Sequence, residues 1–473
     1  MKSSTVVRRV GVKSSSAMGL VFALSLGLSP AWGQTGKTAP PSPQVEIAQG
    51  ADAQGGAPLT LTLQDALERA RANSPQFQTA LTAVKMAQQN RVQSRAAMLP
   101  SVNYLQQYLG TQGNGKLPTG RFVTNDGVHV YRMWGVVNQT LDLNTFTQAT
   151  YRQAVAGEAM ARAQAEIARR GLAVTVTQAY YALLVAQRDY ATAEQGLEQA
   201  NHFLKIGQEL EKGGEVAHSD VIKFQLQVNQ QSQAVREASL GMETSRLDLA
   251  VLLFPNFFQN FTVVDDLDSP QPLPDFDEVR QMAGQSNPEI RTALENLRQR
   301  SLAVSVSRAR FLPSLSLDLD YGIEANSIAF RSRTSAFPEA GRLPNLGYFL
   351  TATLSFPVWN WGSLRSKLHQ AEYQKQQARF DLAFAQRQLL KNLYAYYNEA
   401  KTAKAELDTL RKSADLAADS LRLNTLRYRA GEAMVLEVVD AQNTLTQARN
   451  AYDAGQARYR VALSQLQTVT GPF

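Results

Sequence analysis

The chain has 473 residues, no cysteine, 44% hydrophobic content and 19% charge. It is too long for one ordinary domain and too apolar for disorder, and it has no thiol for a disulfide framework or for a lipid anchor on a mature N-terminal cysteine. The formal charge falls from +7 to +3 once Lys2, Arg8, Arg9 and Lys13 are set aside, so nucleic-acid binding loses its main support.

Those four residues form the basic start of a secretory signal expected over 1–33. The apolar run Ala17 to Leu28 follows, and Ala31-Trp32-Gly33 supplies the small residues that a signal peptidase reads. A run of about a dozen residues is short of the roughly 20 needed to span a bilayer. Residues 34–58, rich in Pro, Gly, Gln and Ala, read as a flexible leader.

From residue 59 onward the chain repeats itself. Asn73-Ser74-Pro75-Gln76-Phe77 returns as Ser286-Asn287-Pro288-Glu289-Ile290, and Met98-Leu99-Pro100-Ser101 as Phe311-Leu312-Pro313-Ser314, at one constant offset. Further along, where Gly214 returns as Gly431, the offset is larger by four. The second copy therefore gains that length between Tyr321 and its next helix, where a variable loop is expected. The copies are expected at 59–264 and 275–473, with 265–274 as a linker whose Asp265, Asp266 and Asp268 read as solvated.

Each copy opens with a short helix; in the first, Thr62 and Asp65 form an N-cap pair. A second helix starts with Pro75 at its first position and runs to Leu99-Pro100. There the period changes to two. Leu315, Leu317, Leu319 and Tyr321 alternate with Ser316, Asp318 and Asp320, and Tyr348, Leu350, Ala352, Leu354 and Phe356 with Thr351, Thr353 and Ser355. Copy one shows this more faintly at Val102, Tyr104 and Tyr108, then at Tyr131, Met133 and Val137. Loops are expected at 110–127 and 325–345.

Soluble hairpins with one face on a core would alternate in the same way. A membrane reading gains from strands of about ten residues, from the export signal and from Phe356, Trp359 and Trp361 placed as an interfacial girdle. On that reading Asp318 and Asp320 face the lumen. Four strands cannot close a barrel, and an open sheet edge is not allowed in lipid, so several chains would share one: eight strands from a dimer, twelve from a trimer.

The helices carry a longer signal. No proline occurs from Thr119 to Phe254, nor between Val358 and Pro472. A 4-3 alternation runs Leu172, Val176, Ala179, Leu183, Ala186, Tyr190, Ala193, Leu197, Ala200, Leu204. It recurs in the second copy, at the offset of the glycine turns, from Leu389 through Leu393, Tyr396, Ala400, Ala403, Leu407, Leu410, Ala414 and Ala417 to Leu421. That is a coiled-coil seam, rich in alanines that let helices approach closely. A helix from about Phe146 to Lys212 would be on the order of 100 Å long. Each long helix ends at a glycine turn, Lys212-Gly213-Gly214-Glu215 and Ala430-Gly431-Glu432, and then reverses.

Chemistry-bearing motifs are missing from the pattern. His129, His202, His218 and His369 share no metal-ligand spacing, and no phosphate loop or nucleophile motif appears, so neither an enzyme nor a cofactor is expected. Asp220 and Glu437 each follow a turn glycine, Gly214 and Gly431, at the same spacing, and Asp440 shares a helix face with Glu437 at i, i+3. Carboxylates at a helix start favour the dipole, yet a like-charged i, i+3 pair repels. In a symmetric oligomer such a pair becomes a carboxylate ring of the kind that selects ions at a constriction. The terminal Phe473 is a weak echo of the last residue of outer-membrane barrels.

Taken together, the duplication, the Asn-Ser-Pro and Leu-Pro-Ser markers, Phe356-Pro357-Val358-Trp359 and both glycine turns resemble the outer-membrane efflux channel family typified by TolC. The resemblance covers nearly all of the expected mature chain. It implies a mainly α fold with a transmembrane β-barrel contribution: a homotrimer in the outer membrane of a Gram-negative bacterium, with a 12-stranded barrel set in lipid and an α-helical tunnel through the periplasm. It also implies an exit duct for an efflux pump or type I secretion system, meeting a periplasmic adaptor and an inner-membrane pump or ABC exporter. By the same resemblance, Glu437 and Asp440 look like the acidic pair ringing the closed entrance, and Tyr428 and Asp220 like the hydrogen-bonded partners that tie the inner hairpin to its neighbour. Gly214, Glu215, Gly431 and Glu432 look like adaptor contacts. The family's gate arginine falls at Ala433, so that part of the lock is missing here. Two other readings compete: an exported coiled-coil scaffold or adhesin without a pore, and an adaptor, which would carry lipoyl-like β domains and a single hairpin.

Overall fold

The computed structural model describes residues 59–110, 129–256, 259–269, 271–325, 328–331 and 344–472. The expected signal, the leader, Phe473, the first hairpin loop and most of the second lie outside them. Copy one comprises β1 (Leu59–Leu61), α1 (Leu63–Asn73), α2 (Pro75–Ala96), β2 (Ser101–Gly110), β3 (His129–Leu141), α3 (Leu143–Thr147), α4 (Ala149–Lys212), α5 (His218–Leu253) and β4 (Phe261–Val263). Copy two comprises α6 (Phe276–Ser286), α7 (Pro288–Ala309), β5 (Ser314–Ala325), β6 (Leu346–Ser355), α8 (Ser363–Arg429) and α9 (Val435–Thr470).

Local chemistry starts these helices. Thr62 and Asp65 form a reciprocal capping box on α1. Asn287 accepts from the Ile290 N–H at 2.9 Å, ahead of a proline at the first position of α7. The long helix of copy one begins at Ala149, slightly later than expected. Asp142 captures the Thr145 N–H at 2.7 Å and starts α3 instead, and Gln148 at φ 54° separates that turn from α4. At 67 residues, α8 is roughly 100 Å long.

Every position of the two 4-3 series is buried or half-buried. Ala400 and Ala403 allow α8 to close on Tyr459, Ala462 and Leu463 of α9, the contact predicted from the alanines. The short strands β1 and β4, which the alternation did not announce, pair in parallel and tie the start of copy one to its end. Both lie on the core that includes Tyr180, Leu183, Leu184 and Leu249.

The four expected strands form one antiparallel sheet in the order β2-β3-β5-β6, with β3–β5 joining the copies. Its apolar face sets Leu319 between Val137 and Leu350, and Tyr321 opposite Tyr348. On the other face Asn138 donates to Asp318, and Arg132 reaches Glu324 at 2.9 Å and Gln107 at 3.2 Å. The apolar face is uncovered in the single chain: Tyr348 is 75% exposed and Leu350 64%. Among the described residues neither outer edge, β2 or β6, has a partner strand.

Equivalent rungs end the two hairpins, Gly110 with His129 and Ile323 with Leu346. Gly110 and Ile323 stand at the smaller repeat offset, His129 and Leu346 at the larger. The added length of copy two therefore falls in the loop between β5 and β6. Beyond β6, Trp359 and Trp361 meet edge to face at 5.6 Å and remain exposed beside Phe356. Among the described residues no helix is long and apolar enough to cross a membrane.

Candidate functional site

The far ends of the long helices carry both glycine turns, built alike. Gly214 and Gly431 take φ 77° and 73°, a region in which a side chain is strained. In each the third residue past the helix folds back: Glu215 N–H donates to the Leu210 carbonyl and Glu432 N–H to that of Arg427, both at 2.9 Å. Gly214, Glu215, Gly431 and Glu432 are all exposed.

Behind the turns the two hairpins of the chain pack together. Phe224 of α5 stacks on Phe203 and meets Tyr428 of α8 edge to face at 5.6 Å. It lies so close to α4 that a Cβ on Gly207 would stand 2.8 Å from its ring. Val435, Val438 and Leu445 close the cluster. Sequence periodicity signalled the seams within each hairpin but not this contact between them. The available cue was an aromatic pair, Phe203 and Phe224, on facing runs.

In the single chain the four expected gate residues have different surroundings. The Tyr428 ring is buried, and its hydroxyl has no hydrogen-bond partner among the described residues. Burial, and then the Asp220 charge, push that phenol above its ordinary pKa. Asp220 itself is taken by Lys223 at 2.9 Å, so the expected Tyr428–Asp220 bond is not made in the single chain. Glu437 caps α9 by accepting the Met434 N–H at 3.3 Å and pairs with Arg427 at 3.0 Å. Arg427 also donates to the Glu432 carbonyl, so the second turn is held from inside. This pairing offsets the repulsion expected between Glu437 and Asp440; Asp440 stays exposed. Ala433 is half-buried against the tip cluster.

The linker acids do more than the solvated run expected of them. Asp265 and Asp268 stay exposed, yet the segment is also a strap bound to the helices midway along the chain. Arg188 of α4 holds Asp265 at 2.6 Å, Asp268 at 3.0 Å and Asp453 of α9 at 2.7 Å. Arg460, 7% exposed, donates to the carbonyls of Asp266 and Ser269, both at 2.6 Å, and its guanidinium lies over the Tyr181 ring. Tyr181 donates to Asp266, and Tyr459 to the Gln271 carbonyl at 2.7 Å. Burial pushes the Asp453 carboxyl up, against the pull of Arg188. A bond from the Gln456 amide, with Arg188, holds Asp268 below the usual carboxylate range. Composition could not reveal this, because the strap's partners lie far away along the chain, Asp265 from Arg188 and Asp266 from Arg460.

Among the described residues no three His, Asp or Glu groups are arranged to hold a metal ion. Three of the four histidines pair singly: His218 with Glu211 at 2.7 Å, His369 with Glu372 at 3.3 Å, and His202 with Arg429 at 3.2 Å. An open groove between α2, α4 and α7 is lined by Arg91, Arg162 and Arg291 with Glu158, Glu166 and Glu295. Buried Glu158 is paired there with Arg91 at 3.1 Å and with Arg162.

Comparison with known proteins accounts for this architecture. Residues 66–253 and 279–472, one segment in each copy, match the family described as "Outer membrane efflux protein". The alkaline protease secretion protein AprF of Pseudomonas aeruginosa is 22% identical, covering 87% of this chain and 85% of that protein. Outer membrane protein TolC of Vibrio cholerae is 24% identical over 86% of this chain and 89% of its own length. The CmeC outer membrane channel of Campylobacter jejuni superposes with a TM-score of 0.74 at 18% identity, over 86% of this chain and 85% of that one. With an exposed apolar sheet face at one end and helices roughly 100 Å long leading away from it, the chain belongs to the outer membrane efflux protein family: a channel protein rather than an enzyme, an exit duct seated in the Gram-negative outer membrane and extending into the periplasm.

Proposed function

We propose that three copies close their sheets into one 12-stranded barrel, whose helical extension forms the passive, gated exit duct of a tripartite efflux or type I secretion assembly. The observation that carries this reading is the pair of open edges on a sheet that is internally duplicated. Replacing β3 by its repeat equivalent β6, and β5 by its equivalent β2, turns the internal β3–β5 register into a pairing between neighbouring chains. It sets Thr353 opposite Gln107 and Phe356 opposite Tyr104 of the next copy. An edge strand cannot stay open in lipid, so closure supplies its missing hydrogen bonds. The apolar face then meets lipid, while Asp318, Asp320 and the Arg132–Glu324 pair face the lumen.

In this assembly Tyr428, Asp220, Glu437 and Asp440 ring the periplasmic entrance. Gly214, Glu215, Gly431 and Glu432 are exposed for a periplasmic adaptor, which joins the duct to an inner-membrane pump or ABC exporter. Asp220 leaves Lys223 in the closed trimer and accepts from the buried Tyr428 hydroxyl. That exchange gives the orphaned group a partner worth about 1 kcal/mol. Single-channel recording in planar bilayers checks it: Tyr428→Phe and Asp220→Ala should each raise the open-to-closed ratio about fivefold. Conductance unchanged in both variants removes these residues from the gate.

A further inference from the structure

We infer that His202 and Arg429 form a pH-operated latch between the two hairpins, an inference that rests on the tip being a gate. Arg429 is the last residue of α8 and His202 lies near the end of α4. The guanidinium Nη2 donates to the imidazole Nε2 at 3.2 Å. Arginine keeps its protons, so the contact holds only while that ring nitrogen carries a lone pair. Protonation turns it into a second donor and leaves two cations facing each other. The latch adjoins the aromatic contact described above, since Phe203 follows His202 and Tyr428 precedes Arg429. Packing of Phe203, Phe224 and Tyr428 sets the spacing between the hairpins, and the ring's charge sets the sign of the force across it.

The duplication does not account for this pair. Its counterparts in the repeat alignment are Asp419, which pairs with Arg422 at 3.4 Å, and Lys212. The latch therefore belongs to one of the two hairpin seams. Ionisable groups in the same turns of the four helices are Glu198 and Lys205 on α4, Asp220 and Lys223 on α5, Arg427, Tyr428 and Arg429 on α8, and Glu437 and Asp440 on α9. Asp220 is held by Lys223 in the single chain and by the Tyr428 hydroxyl in the proposed closed trimer, and Glu437 by Arg427, so neither is free to neutralise an imidazolium. Imidazoles change charge between about pH 8 and 5, above the range of ordinary carboxylates.

The chain has no cysteine, so spin labels placed by Glu215→Cys and Glu432→Cys report one distance between the two turns of a chain once labelled chains are diluted with unlabelled ones, so that an assembly holds a single labelled copy. In the full protein in lipid, the population at the longer distance should rise about three- to tenfold between pH 7.5 and pH 5.5. His202→Gln, which keeps an acceptor and does not titrate, should hold the short distance at both pH values. Arg429→Gln, which removes the opposing cation, should abolish the acid response. An acid response that survives His202→Gln, or none in the unsubstituted protein, overturns the latch. Bilayer conductance read in parallel tests the underlying gate. A distance change without a conductance change leaves the latch standing and rejects the gate.

Discussion

Replacing Arg188 by alanine will destabilise the protein by about 3 kcal/mol at pH 7, the range found when a buried charge loses its partner. Three carboxylates depend on this guanidinium, and the Asp453 side chain, 12% exposed, has little water to fall back on. The pH dependence follows from the raised pKa of Asp453. A carboxyl whose folded pKa lies above its unfolded value weakens the fold as pH rises through the folded value. That penalty vanishes below the unfolded value, near 4. Without Arg188 the folded value rises further, so the deficit against the unsubstituted protein should be largest at neutral pH and shrink as the solution is acidified toward pH 4. Urea unfolding of the purified protein at pH 7 and pH 4.5 measures both quantities. Arg188→Lys keeps the charge but loses the fork that reaches three acids, and should recover only part of the loss. Equal deficits at both pH values would mean that Asp453 does not depend on Arg188.

Gly322→Ala will prevent assembly of the barrel. Gly322 lies mid-strand in β5, opposite Trp134 and Gly347. A Cβ there would overlap the Met133 carbonyl oxygen and stand 2.8 Å from the Trp134 Cα, both backbone atoms of a paired strand that cannot turn aside. The cost is about 3 kcal/mol, concentrated in the β3–β5 ladder that joins the two copies. The neighbouring glycine provides the control. At Gly135 the nearest atom to an added Cβ is the Tyr321 carbonyl at 3.7 Å, an ordinary contact, so Gly135→Ala should assemble normally. Heat-modifiable oligomers in the outer-membrane fraction should disappear for the first substitution and persist for the second. Equal assembly of both would show that the β3–β5 ladder is looser than described.

Periodicity made the skeleton legible because both copies repeat it. The alternation at 315–321 and 348–356 marked β5 and β6, and the 4-3 series marked the buried seams of α4 and α8. Proline positions marked the starts of α2 and α7. The change of repeat offset even located the inserted loop, since hairpin rungs have to match on either side of it. Contacts between elements were less legible. Asp265, Asp266 and Asp268 read as solvated because a local acidic run gives no hint of Arg188 or Arg460 far along the chain. The short strands β1 and β4 leave no room for a period to show. At the tip, the family resemblance implied a Tyr428–Asp220 bond, while side-chain geometry in the single chain gives Asp220 to Lys223 and Glu437 to Arg427. Both acids sit in the first turn of a helix with a cation one turn or one hairpin away. The nearer cation wins in the absence of neighbouring chains.

The central claim is that the open edges of one sheet are each other's partners in a ring of three. Thr353→Cys and Gln107→Cys, introduced into one chain, face each other across that seam in the register carried over from β3–β5. Outer membranes treated with a mild oxidant or a short bis-thiol reagent should give a denaturation-resistant ladder that ends at three chains. Moving the second cysteine out of register along the same strand face, to Asn103→Cys, should weaken the cross-link sharply. A ladder that stops at two chains, or chains that stay monomeric in both variants, would contradict the shared barrel.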